Sequence, residues 1–215
     1  MLSRYPDRSA AGKILAGQLA QYANRPDVIV LALPRGGVPV GFEVAWALGA
    51  PLDVFLVRKL GVPGYEELAM GAIATGGVRI LNDAVIREMQ IPPQLIENAA
   101  ERELAELARR ESLYRGDRPA PELRDRTVIL VDDGLATGST MRAAVAAVRQ
   151  HQPGRIVVAV PVSSPETYAA FTSEVDEIVS PSTPENFCAV GQWYADFPQT
   201  SDDEVRRLLA AARSE

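Results

Sequence analysis

At 215 residues the chain is long enough to bury one sizeable core. Hydrophobic residues make up 47% and charged residues 23%, the balance of an ordinary globular protein rather than a disordered or fibrous one. A net charge of −6 and a pI near 5.0 argue against a broad basic surface for nucleic acid but leave room for a local basic pocket. The single cysteine, Cys188, excludes an intrachain disulfide framework and suits a reducing compartment. No apolar run reaches membrane-spanning length, and the first residues lack the apolar core of a signal peptide, so the expected location is cytoplasmic and no membrane partner is expected.

Residues 9–23 carry Ala10, Ile14, Leu15, Leu19 and Tyr22 at helical spacing, which predicts a helix packed on the core. Residues 28–33, Val-Ile-Val-Leu-Ala-Leu, read as a strand buried on both faces. It runs into Pro34-Arg35-Gly36-Gly37 and then a helix over 38–48 that Gly49 ends. Gly36 and Gly37 let backbone approach a ligand closely, and Arg35 can pair with a phosphate. Alone, this tetrapeptide is also an ordinary turn. Residues 52–57 form a further strand that ends in Arg58-Lys59-Leu60-Gly61, two cations suited to a neighbouring polyanion or to solvent. Pro63 and Gly64 mark residues 62–67 as irregular.

Residues 68–74 and 78–81, joined across Gly76-Gly77, predict a strand pair with a tight turn. Residues 92–114 form the longest helical pattern, with Leu95, Ala99, Leu104, Leu107 and Leu113 as its apolar stripe. Its Glu and Arg residues read as a solvated face. The stretch 115–126 is a loop.

The most informative element follows. Residues 127–131 are short, apolar and β-branched-rich, a buried strand. Asp132 and Asp133 leave its end, Ala136-Thr137-Gly138-Ser139-Thr140 follow Gly134-Leu135, and Met141 opens a helix over 141–149. Consecutive strand residues point to opposite faces, so one acid can reach a ligand hydroxyl while the other turns to a metal or cation. The small residues let N–H groups close around an anion at a helix N-terminus, and the hydroxyls add donors. The expected ligand has a phosphate at one end and a diol at the other. An Asp-Asp-Gly turn with a helix cap needs less than this, and the Gly-Lys-Ser/Thr ending of a Walker A loop is absent.

Beyond it come a strand over 155–161, a helix capped by Ser163-Ser164-Pro165, a strand over 175–179 and a terminal helix over 202–212. His151 ends a helix and reads as a cap. With one His and one Cys, a Ser-His-Asp or Cys-His site and a His/Cys metal site are unsupported. Residues 180–200 are irregular and crowded with Phe187, Trp193, Tyr194 and Phe197, which suits either a lid over a flat ring or the packing of a loop.

The stretch 128–140 resembles the phosphoribosyl diphosphate signature of the type I phosphoribosyltransferases. The resemblance extends over 28–162, since residues 35–37 are similar to the loop that grips pyrophosphate and Arg58-Lys59 to the pair before a mobile loop. It implies that Asp132 and Asp133 hold the ribose 2′ and 3′ hydroxyls and influence the placement of Mg²⁺, directly or through water. It further implies that Ala136, Thr137, Gly138, Ser139 and Thr140 anchor the 5′-phosphate, while Arg35, Gly36, Gly37, Arg58 and Lys59 neutralise pyrophosphate. Glu66 and Glu67 are weak candidates for an acceptor-side base. Gly134 departs from the pattern, because many members carry an apolar residue there. In position, 180–200 resembles the family's hood over a nucleobase.

The expected fold is α/β: one domain over 1–215 with a mainly parallel twisted sheet flanked by helices, a core over 28–162, an inserted helical segment over 92–115 and a small hood over 180–200. The expected activity moves a 5-phosphoribosyl group from phosphoribosyl diphosphate to a small acceptor, a nucleobase by resemblance, with Mg²⁺. A phosphoribosyl diphosphate sensor of the same fold and a Mg²⁺-dependent phosphate-ester hydrolase are the alternatives. The family commonly dimerises; the sequence does not set the oligomeric state.

Overall fold

The computed structural model describes residues 4–212, with the side chains of Glu66 and Glu67 outside the described set. Five strands, β1 (Val28–Ala32), β2 (Leu52–Val54), β6 (Thr127–Val131), β7 (Arg155–Ala159) and β8 (Glu177–Val179), form one wholly parallel sheet in the order β2-β1-β6-β7-β8. The helices α1 (Arg8–Gln18), α2 (Gly37–Leu48), α4 (Pro93–Arg115), α5 (Ser139–Gln150), α6 (Pro165–Glu174) and α7 (Asp202–Ala211) surround it. Both faces of the central strands are covered, which is why they read as unbroken apolar runs. Val28, Val30, Ile129, Val131 and Val157 point to the side of α1, α2, α4 and α7. Ile29, Leu31, Val128, Leu130 and Val158 point to the side of α5 and Phe171 of α6. Each such side chain contributes about 1.5–3 kcal/mol through burial.

The predicted strand over 52–57 is two strands. β2 ends at Val54, Phe55 and Leu56 carry the chain across, and β3 (Val57–Val62) belongs to a second, antiparallel sheet with β4 (Tyr65–Ala74) and β5 (Val78–Leu81). Arg58 and Lys59 therefore sit inside β3, not at the carboxyl edge of the parallel sheet. The Leu56 N–H donates to Thr75 Oγ1 at 2.9 Å, so a side chain satisfies the backbone where the chain changes sheets. Residues 62–65 turn tightly at Gly64, φ +82°, joining β3 to β4. The short helix α3 (Asp83–Glu88) is capped by Asn82.

α4 is phased differently from the predicted stripe. Ile96, Ala99, Ala100, Leu107 and Tyr114 are buried, while Leu95 and Leu104 face outward. Its polar face is partly committed, because Glu103 pairs with Arg58 at 2.7 Å and Glu97 with Arg79 at 2.8 Å, fastening the helix to the second sheet. No described helix is long and apolar enough to cross a membrane.

Candidate active site at the carboxyl edge of the parallel sheet

The strand order reverses between β1 and β6: the chain leaves β1 toward β2 on one side, and β6 continues to β7 and β8 on the other. Open α/β sheets place ligands in the crevice beyond such a switch point. The register Ala32↔Val131 ends the two strands together, so the loops after them emerge side by side. Leu33 N–H donates to Val131 O at 2.8 Å and fixes that pairing beyond the strands.

The two loops touch where glycine is required. A Cβ on Gly37 would stand 2.7 Å from Val131 O and 2.9 Å from Asp132 Cα, and one on Gly36 would clash with Asp133 Oδ2. Gly36 itself has helical backbone angles, φ −59° and ψ −33°, which any residue tolerates. Its requirement is therefore for space. Gly36→Ala should leave the fold and thermal unfolding nearly unchanged and displace the Asp133 carboxylate. Titration with phosphoribosyl diphosphate should show affinity reduced at least about tenfold, about 1.4 kcal/mol. Wild-type affinity would show that Asp133's position is immaterial.

The acid pair is arranged asymmetrically. Asp132 lines a cleft of about 180 Å³ with residues 134–141 and Val190. Its Oδ1 accepts the Asp133 N–H at 2.8 Å. Asp133 Oδ2 accepts from Arg8 Nε at 2.8 Å. Among the described residues, Asp132 Oδ2 and Asp133 Oδ1 accept no hydrogen bond, so each acid keeps one oxygen available. Burial and the neighbouring Asp133 carboxylate hold the Asp132 carboxyl well above the usual carboxylate range. Burial also raises Asp133, with Arg8 pulling the other way.

Residues 136–138 form the cleft wall. Thr167 Oγ1 and Ser164 Oγ donate to Ala136 O at 2.5 and 3.1 Å, and Arg142 Nη1 donates to Thr137 O at 2.8 Å. These bonds hold the loop carbonyls. Gly138 takes φ +73° at the N-cap, where a Cβ would lie 2.7 Å from Phe171 and 2.9 Å from Thr167 Cγ2. No side chain caps α5, so its first N–H groups and positive dipole end face the cleft, as an anion site requires. Thr137, Ser139 and Thr140 are at least partly exposed beside it.

The structure thus brings together Gly36, Gly37, Asp132, Asp133 and residues 136–140, with Arg35 opening the same loop and its guanidinium directed at Asp202. It does not bring Arg58 to them, because that guanidinium is committed to Glu103. Lys59 is exposed and forms no ion pair among the described residues. Glu66 and Glu67 side chains lie outside the described residues. Three participants were not foreseen from sequence. Arg8 meets Asp133, Asp202 lies 3.8 Å from Arg35 Nη1, and Val190 covers Gly134. A Cβ at Gly134 would stand 2.5 Å from Val190 Cγ1, so the hood fills the space that a larger residue at 134 would take. The hood aromatics pack together with Tyr5, Ala11 and Val162. Tyr194 and Phe197 rings lie 4.8 Å apart, which favours the packing reading of that segment.

The sequence profile of the phosphoribosyl transferase domain matches residues 2–196. The chain belongs to that family. A Mycobacterium tuberculosis protein provisionally named a phosphoribosyl transferase, known from two strains, is 48% identical over 208 residues, 97% of this chain and 47% of its own length. The chain therefore spans about half the length of the curated relatives it matches. The crystal structure of TT1426 from Thermus thermophilus is 44% identical with a TM-score of 0.86, covering 97% of this chain and 98% of that one. AQ2163 from Aquifex aeolicus, at 14% identity and a TM-score of 0.51 over 86% of this chain and 78% of its own, shares the fold. The matched range includes the parallel sheet and the loops after β1 and β6.

Proposed function

We propose that the chain transfers a 5-phosphoribosyl group from phosphoribosyl diphosphate to a small acceptor, a nucleobase being the first class to test, with release of pyrophosphate. The observation that carries this reading is the meeting, at one switch point, of the acid pair, the Gly36-Gly37 turn and the uncapped start of α5. The uncapped helix end and residues 136–140 hold the 5′-phosphate. The free oxygens Asp132 Oδ2 and Asp133 Oδ1 accept from the ribose hydroxyls. Arg35 and the amides of its loop balance the charge of the leaving pyrophosphate, and Lys59 is exposed to do the same once the β3–β4 hairpin comes near. The reaction develops positive charge on ribose, so the protein contributes position and negative charge rather than a covalent nucleophile.

Mg²⁺ fits the donor set. Among the described residues no cluster of three or more His, Cys, Asp or Glu side chains forms a protein cage. Two carboxylates with substrate oxygens and water suit an ion that keeps several waters. When bound, it would neutralise diphosphate charge; Asp132 and Asp133 would hold it, directly or through water.

The test is calorimetric titration with phosphoribosyl diphosphate, with and without Mg²⁺, followed by a screen for pyrophosphate release across free nucleobases. Magnesium-enhanced binding and release with one base are expected. Binding without release for any acceptor points to a sensor. Absence of binding, with simple phosphate esters hydrolysed instead, would overturn the transferase reading.

A further inference from the structure

Arg8 occupies the first turn of α1, where a cation opposes the helix dipole, next to Asp7, whose carboxylate caps the helix by accepting from Ala10 N–H. Its contacts lie elsewhere. Nε donates to Asp133 Oδ2 at 2.8 Å, Nη1 donates to Pro198 O at 2.6 Å, and the guanidinium lies 3.8 Å from the centre of the Phe197 ring. Both partners of the ion pair are largely enclosed, with side chains 11% and 15% exposed. A planar guanidinium suits this role because it can fork to two acceptors while stacking on a ring.

The hood is tied to the same place by other bonds. Tyr194 Oη donates to Asp133 O at 2.5 Å. Tyr5 N–H donates to Trp193 O, Ala195 N–H to Tyr5 O and Asp196 N–H to Pro6 O, at 2.8–2.9 Å, so residues 5–6 and 193–196 behave as one strip of structure. Asp133 is therefore gripped through its carboxylate by Arg8 and through its carbonyl by Tyr194, against the side-chain-free Gly36.

We propose that Arg8 is a positioning residue of the donor site, fixing the Asp133 carboxylate so that Oδ1 faces the ligand and making hood residues 190–198 move together with the acid pair. This rests on the donor-site reading above. Arg8 touches no reacting atom. It acts through Asp133, and the hood acts through Arg8.

The experiment compares wild type, Arg8→Gln, Arg8→Lys, Asp133→Asn and the Arg8→Gln/Asp133→Asn double variant. In ligand-free protein, amide hydrogen exchange over 193–198 is expected to quicken in both Arg8→Gln and Asp133→Asn, because each removes the charge pairing of the same link. Unchanged exchange in Asp133→Asn would overturn the coupling between acid and hood. In titrations, Arg8→Gln should weaken phosphoribosyl diphosphate about tenfold while changing inorganic phosphate less than about twofold, since the phosphate cradle does not touch Arg8. Arg8→Lys should recover part of the loss. In the Asp133→Asn background the change at Arg8 should add less than about twofold. Equal losses for both ligands, with no rescue by lysine, would make Arg8 merely structural and end the proposal. If wild type binds no phosphoribosyl diphosphate, the donor-site reading fails and the positioning role with it, whereas the exchange data still report whether the clasp exists.

Discussion

Replacing Asp132 by Asn is expected to weaken phosphoribosyl diphosphate binding at least about 30-fold and, in the ligand-free protein, to raise the melting temperature. The binding loss follows from removing an acceptor charge from the site proposed to bond the ribose hydroxyls, since hydrogen bonds to charged groups contribute about 1.5–3 kcal/mol each. The stability gain follows from what the carboxylate endures without ligand. It is half-buried and lies next to a second carboxylate, and desolvation and that neighbour both push its pKa up. Asparagine keeps the bond from Asp133 N–H through its own Oδ1. A gain of about 1 kcal/mol, roughly 2–4 °C for a chain this long, is the scale at which active sites trade stability for function.

The pH dependence carries the sign of this argument. A carboxyl whose folded-state pKa is raised holds its proton to higher pH than the unfolded chain does. Its stabilising contribution is complete below the ordinary value of 3.8 and is lost as pH rises through the folded-state value. The advantage of Asp132→Asn should thus be small near pH 4 and grow toward pH 8, in thermal unfolding without divalent metal. An asparagine variant less stable than wild type at pH 8 would refute the account.

Arg115→Met should cost about 3–5 kcal/mol of stability, and roughly 10 °C of melting temperature, with no direct contact to the ligand cleft. Arg115 ends α4 with its side chain 3% exposed. Its Nε pairs with both oxygens of Asp53 at 3.0–3.1 Å, Nη1 with Glu111 and Nη2 with Val54 O at 2.5 Å. Removing the arginine leaves the Asp53 charge buried inside the sheet. The pair itself is worth less than its rupture, so Asp53→Leu combined with Arg115→Met should recover much of the loss. Denaturant unfolding of the single and double variants measures both. A double variant as unstable as the single one would mean that the pair does more than satisfy itself.

The contrast between these two acids marks how far the sequence could be read. Strands at 28–32 and 127–131 were legible because burial on both faces leaves unbroken apolar runs. The acids and small residues after Val131 were legible because a single loop carries them. The switch of sheets at Phe55 and Leu56 was not, because no glycine or proline interrupts the run 54–57. Arg115 stood at the edge of what reads as a loop, yet Asp53 within a buried strand was a signal that some cation must reach it. Arg8, Val190 and Asp202 gave no local signal. Arg8 is 125 residues from Asp133, and only the completed fold brings them together.

Val190 over Gly134 has a consequence for how such chains can be recombined. Two segments 56 positions apart share one small volume, and the volume admits one side chain. A hood exchanged for that of another family member would bring its own residue to the position of Val190 and leave either a hole or a collision above the loop. The residue at 134 and the hood must therefore be inherited, or engineered, as a pair.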